Sequence, residues 1–200
     1  MSRIAGVAAG QAGFYTRIAF YFTRRQLARL SGRKPQNMIE PVEIYAHIPG
    51  LLRGIAKLEQ ESAKLHSLDK RFRALAELKA ATLTHCEYCI DLGSQIARQW
   101  GLNDEELLAL PSYQSSALFS PVEKLVLDFA VGMSRTPVEV SDDLFNKLRE
   151  NFDDVQMIEL AHVIALENLR GRFNLAMGIG AAGFSSGMVC AVPVKVGPGD

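Results

Sequence analysis

The chain has 200 residues, 48% of them hydrophobic, with 22 basic and 22 acidic side chains and a formal net charge of zero. That is apolar material enough for a core in one or two domains, and the balance excludes the overall basic charge of a nucleic-acid binder. Three cysteines are too few for a secreted disulfide scaffold, so a reducing cytosol is expected, with the cysteines as a catalytic pair or metal site.

The charge is unevenly placed. Residues 1–39 carry Arg3, Arg17, Arg24, Arg25, Arg29, Arg33 and Lys34 with no acid, leaving −7 on the rest. The first predicted element is a basic amphipathic helix from about Gly13 to Leu30. Its Phe14, Ile18, Tyr21 and Phe22 are free to pack on the body or on a neighbouring subunit while its arginines stay solvated. The longest apolar cluster there, Ile18 to Phe22, is too short for a secretory signal, and no segment reaches the roughly 18 apolar residues of a membrane span. A cytoplasmic protein, neither membrane-bound nor nucleic-acid-bound, is the expectation. Arm and linker occupy residues 1–39, a helical domain 40–180 and a tail 181–200.

Helical character resumes near Val42, is interrupted by Pro49-Gly50, and returns from Leu51 to Lys64. Asp69 caps the next helix, whose apolar side is Phe72, Leu75, Ala76, Leu78 and Leu83. A further helix runs from Thr84 to about Trp100 and ends at Gly101. Asn103 to Leu110 is a short one stopped by Pro111. Ser120-Pro121-Val122-Glu123 has the N-cap, proline and third-position Glu of a strong start. Thr136-Pro137 breaks that helix, and Ser141 or Asp142 opens another. Asp153 with Gln156 starts the last long helix, which carries Ile158, Ala161, Ala165, Leu169 and Phe173 along one face. From Gly178 the chain is glycine-rich, and Met188 to Val196 is apolar without helical period. The fold class is all-α: one domain of seven or eight helices.

Thr84-His85-Cys86-Glu87-Tyr88-Cys89-Ile90-Asp91 carries the chemistry. Thr84 and Glu87 fit a capping box, which places Cys86 in a first turn where free N–H groups and the helix dipole favour a thiolate. The sulfurs of Cys86 and Cys89 lie one turn apart, close enough for a disulfide, and such pairs show depressed thiol pKa values. His85 is a third candidate, since its cation would favour the neighbouring thiolate.

The block Leu75 to Gly101, centred on Cys86-Glu87-Tyr88-Cys89-Ile90-Asp91, resembles the alkylhydroperoxidase D-like branch of the carboxymuconolactone decarboxylase superfamily. Thr136-Pro137, Phe152 and the run ending Phe173-Asn174-Leu175-Ala176-Met177-Gly178 resemble its closing helix, so the likeness covers about residues 40–180. It implies a compact helical fold assembled as trimers or hexamers. It also implies a thiol peroxidase or disulfide reductase acting on a small peroxide or other small molecule, with an external dithiol reductant and no cofactor. The family's peroxidase branch has a His four residues after the second Cys and a Glu twelve before the first; here those positions are Gly93 and Ala74. His85 and Glu77 are the possible substitutes for that proton relay, and Gly93 leaves room for water or substrate beside the pair.

Other readings stay open. A zinc site would need two more ligands, for which Cys190, His47, His66, His85 and His162 offer no second paired motif. A decarboxylase-like enzyme acting on a small carboxylated substrate, or a redox-sensing helical module without turnover, are the functional alternatives. Glu77 with Arg73 reads as a surface ion pair, His162 as a satisfied core or interface histidine, Asp91 as polar decoration, and Cys190 as incidental. Arg170 and Arg172 read as interface or solvent-facing ion pairs.

Overall fold

Local signals close most of the helices. The computed structural model describes residues 2–193, and among them are α1 (Phe14–Ser31), α2 (Glu40–Tyr45), α3 (Pro49–Ser62), α4 (Lys70–Thr84) and α5 (Glu87–Gln99), then α6 (Asp104–Ala109), α7 (Pro121–Ser134), α8 (Asp142–Arg149) and α9 (Asp154–Met177). The class is all-helical as read from the sequence. Nine helices replace seven or eight because the six-residue segments α2 and α6 each form a helix of their own, α2 with Pro41 in its first turn and α6 with an Asn103–Glu106 capping box. Ser120 with Glu123 and Asp153 with Gln156 form two further boxes, and Asp69 and Ser141 accept backbone N–H bonds at the starts of α4 and α8. Gly32 and Gly178 end α1 and α9 with φ of 69°, a left-handed conformation that glycine adopts without strain. Pro111 falls inside a 3₁₀ turn, Leu110–Ser112, and Trp100 rather than Gly101 caps α5.

Central helix α4 packs against α5, α7 and α9. Its alanines at 74, 76, 80 and 81 are all buried and let those neighbours approach closely. One face of α4, through Leu75 and Leu78, joins a core with α5 and the loops. The other, through Ala76 and Ala80, joins a second core with α7, α8 and α9.

Two apolar faces lie differently from the sequence reading. On α9, the face of Ile158, Ala165 and Leu169 points outward, with Ile158 68% exposed. The core takes Met157, Leu160, Ile164, Glu167, Gly171 and Asn174, two rows that each repeat every seven residues. The helix is apolar on both sides, so periodicity alone does not choose between them. On α1, Phe14, Tyr15, Ile18, Tyr21 and Phe22 are all exposed; only Phe20 and Ser31 are buried against the body.

After α9 the chain folds back along α5. Gly183, Phe184 and Ser185 donate backbone N–H bonds to the Asp91 carboxylate at 2.7, 2.9 and 2.6 Å, and the Ser94 hydroxyl accepts from Ala191 N–H at 3.1 Å. The apolar end of the expected tail, from residue 194 on, lies outside the described residues.

Candidate functional site

The turn between α4 and α5 is tighter than a Thr84 cap would allow. Thr84 is the last residue of α4, and its hydroxyl donates back to the Ala80 and Ala81 carbonyls at 3.1 Å each. A threonine that satisfies its hydroxyl inside the preceding helix cannot cap the next one. His85 then adopts φ 57°, a left-handed conformation uncommon for a residue with a Cβ, and the chain reverses in one step. Cys86 itself is the N-cap of α5: its Sγ accepts the Cys89 N–H at 3.2 Å. Glu87, expected at the third helical position, opens α5.

Cys86 and Cys89 are joined as a disulfide with Cα atoms 5.2 Å apart. Both are buried, Cys86 fully and Cys89 with 7% of its surface exposed. From α9 the buried Asn174 turns its amide toward both sulfurs, Nδ2 lying 3.5 Å from Cys86 Sγ and 3.6 Å from Cys89 Sγ. Gly171 permits that approach, because a Cβ there would lie 2.6 Å from Thr84 Oγ1 and 3.0 Å from Thr84 Cβ. Between the cysteines, the Tyr88 hydroxyl donates to the Met38 carbonyl and its ring packs edge-on against Phe184. Burial pushes its phenol well above the ordinary value. Thiolate chemistry suits this setting: an N-cap position and a neutral amide donor both favour negative charge on sulfur.

The backbone places His85 directly before Cys86, and its Nε2 is buried with no hydrogen-bond partner among the described residues. Gly93 is partly exposed on α5, and a Cβ there would meet Leu78 Cδ1 of α4 at 3.2 Å, a close contact that the leucine side chain would have to yield to. Ala74 is buried in α4. Glu77 does pair with Arg73, at 3.3 Å, but the pair is largely buried rather than superficial, and Arg170 lies 3.8 Å from the same oxygen. Arg170 also bonds Glu59 and Glu167, tying α9 to α3. Burial raises the Glu167 carboxyl pKa, an effect Arg170 partly offsets. His162 meets Ser62 Oγ at 2.7 Å, a satisfied histidine as read, and Arg172 donates to Thr136 Oγ1 at 3.1 Å. Cys190 is a free, partly buried thiol. Asp91 is no decoration: its carboxylate anchors the returning chain two residues after Cys89. Among the described residues, no three His, Cys, Asp or Glu side chains gather where a metal ion would fit.

Asn174 and Asp91 are the residues that sequence reasoning undervalued. Asn174 had one signal, its place in the closing-helix run; for Asp91 the only signal was a carboxylate on an apolar helix face.

Residues 49–131 match the carboxymuconolactone decarboxylase family. The Escherichia coli K12 protein YnjA is 34% identical over 173 residues, spanning 86% of this chain and 92% of its own. Among solved structures, the debrominase Bmp8 superposes with a TM-score of 0.74 at 20% identity over 91% of this chain and 93% of its own. A peroxidase-related protein from Ralstonia eutropha JMP134 with an alkylhydroperoxidase AhpD core gives 0.69 at 21% identity over 90% and 92%.

Proposed function

Because the chain belongs to the carboxymuconolactone decarboxylase family, we propose that it is a thiol oxidoreductase cycling Cys86 and Cys89 between dithiol and disulfide. A small hydroperoxide is the oxidant and an external dithiol the reductant. One observation carries the reading: two cysteines disulfide-bonded at a helix N-terminus, with an amide from α9 directed at both sulfurs.

Cys89 is the more exposed thiol and meets the oxidant. Its thiolate attacks the terminal peroxide oxygen; the O–O bond breaks, the alcohol leaves with a proton, and Cys89 becomes a sulfenic acid. The Cys86 thiolate attacks that sulfur, the S–S bond forms, and water leaves after a second proton transfer. Two electrons have passed from sulfur to peroxide. His85, whose Nε2 is unpartnered, is the residue assigned to supply protons. In the return half, one thiolate of the external dithiol attacks Cys89 and expels Cys86, whose N-cap position makes it the better leaving thiolate. The reductant's second thiolate then attacks its own sulfur in that mixed disulfide, releases Cys89 and leaves as a disulfide. A homo-oligomeric assembly in the cytoplasm belongs to the same proposal.

The fold shared with a debrominase favours a second substrate class, halogenated small aromatics. There the dithiol would supply two electrons, C–Br would become C–H, and bromide would leave as the disulfide forms.

Single-turnover thiol loss in the fully reduced protein tests both versions, with cumene hydroperoxide or 2,3,4-tribromopyrrole as oxidant. Rapid loss of two thiols is expected, with Cys86→Ser stalling at a sulfenic acid on Cys89 in the peroxide arm. Loss no faster than that of Cys190 with either oxidant rejects the reading.

A further inference from the structure

A cleft of about 650 Å³ opens between α1 and the segment leading to α2. Arg24, Arg25, Arg29 and Lys34 line it, and Tyr21 and Met38 supply an aromatic and an apolar surface. Only Arg24 is neutralised by a neighbour, pairing with Glu43 at 2.9 Å; Arg25, Arg29 and Lys34 have no carboxylate within 4.0 Å among the described residues. Residues 1–39 hold no acid at all, so this positive charge has no counterpart in its own segment. Three unpaired cations converging on one concavity repel one another, and an anion that enters relieves that repulsion.

We infer that this cleft binds a nucleotide-sized phosphorylated ligand. The Arg25 and Arg29 guanidinium forks match phosphate oxygens in pairs, and Lys34 adds a point charge from the opposite wall. Tyr21, Pro35 and Met38 form the surface against which a flat organic body rests. The volume lies in the range of small-molecule sites, roughly 300–1,000 Å³, and exceeds what inorganic phosphate alone would fill. The floor also connects to the cysteine motif, since the Met38 carbonyl accepts the Tyr88 hydroxyl. The binding does not depend on the redox reading, because it is measured without turnover.

Isothermal titration of the full chain with ATP, tripolyphosphate and adenosine at low salt provides the test. ATP binds, more tightly than tripolyphosphate, and adenosine alone binds more weakly than either. Arg25→Glu and Lys34→Glu, on opposite walls and both at exposed positions, each weaken ATP at least tenfold. Lys147→Glu on α8, a charge reversal of the same size elsewhere, leaves it unchanged. Absence of ATP binding at millimolar concentration overturns the inference. So does equal weakening by Lys147→Glu, which would mean unspecific charge attraction, or tripolyphosphate binding as tightly as ATP. Far-UV circular dichroism of each variant confirms that the fold is kept.

Discussion

Asn174 is the side chain through which α9 acts on the cysteine pair, and its amide is chemically simple enough to predict. A neutral N–H donor stabilises a thiolate more than a thiol, by the roughly 1.5–3 kcal/mol of a hydrogen bond to a charged group. In Asn174→Ala the reactive thiol pKa therefore rises by about one unit, and alkylation of the reduced protein with iodoacetamide at pH 7 slows several-fold. A pH profile of that rate checks it; an unchanged inflection would mean that the amide only fills space. Lys79 gives a second prediction. It is almost wholly buried in α4, donates to the Leu110 carbonyl at 3.1 Å and lies 4.5 Å from the centre of the Tyr113 ring. Burial lowers its pKa to about 8, partly countered by Asp128. The folded value lies below the 10.5 of an unperturbed lysine, so between about pH 8 and 10.5 the unfolded chain binds more protons and stability rises with pH. Below pH 8 this group costs stability at a constant level. Urea unfolding at pH 7 and pH 9.5 will show that rise in the parent and its loss in Lys79→Met.

At the scale of elements, α9 is set against the α4–α5 junction by a contact that only glycine allows. Gly171→Ala gains up to about 1 kcal/mol of helix propensity. It also forces a Cβ within 2.6 Å of Thr84 Oγ1, a hydroxyl already committed to two carbonyls. Overpacking of that kind costs roughly 1–3 kcal/mol, so the variant has a lower urea midpoint than the parent despite better propensity. The thiol inflection of its alkylation profile also moves up as Asn174 withdraws. This junction marks how far the sequence was legible. The starts of α4, α6, α7, α8 and α9 were readable because one polar side chain closes each from within three residues. The start of α5 was not. Thr84 and Glu87 satisfy the capping pattern on paper, yet Thr84 finds its acceptors one turn back, and only three-dimensional packing against Gly171 shows why the reversal falls at His85. The inward face of α9 was hidden for a related reason: its core row includes Glu167, Gly171 and Asn174, which no hydrophobic count would choose. The cysteine pair was plain from spacing, whereas its amide neighbour arrives from 85 residues downstream.

At the scale of the whole molecule, the described segments before α1 and after α9 are both fastened back onto the helices. The N-terminal segment is fastened by Arg3 N–H to the Met177 carbonyl at 2.7 Å and Val7 N–H to the Glu43 carbonyl at 2.9 Å. The returning C-terminal segment is fastened by Asp91. That carboxylate accepts three backbone N–H groups, and the Asp91 carbonyl accepts the Ser185 hydroxyl at 2.8 Å. Phe184, fully buried against Tyr88, follows from this anchor. Asp91→Ala leaves three N–H groups facing an apolar wall, and unmade bonds of that kind cost about 1–3 kcal/mol each unless the segment leaves for water. Leaving exposes Phe184, at about 1.5–3 kcal/mol for a large side chain. The variant takes the cheaper course and detaches the segment, so the expected loss is roughly 3 kcal/mol rather than the sum of all three bonds. Asp91→Asn also loosens the anchor: its oxygen can keep the Gly183 and Phe184 N–H groups, but its NH2 then confronts the Ser185 N–H that Oδ1 accepted. Limited proteolysis reads the outcome directly: both variants are cut between residues 179 and 190 under conditions that leave the parent whole. Cleavage of the parent at the same rate would mean that Asp91 does not hold the segment down.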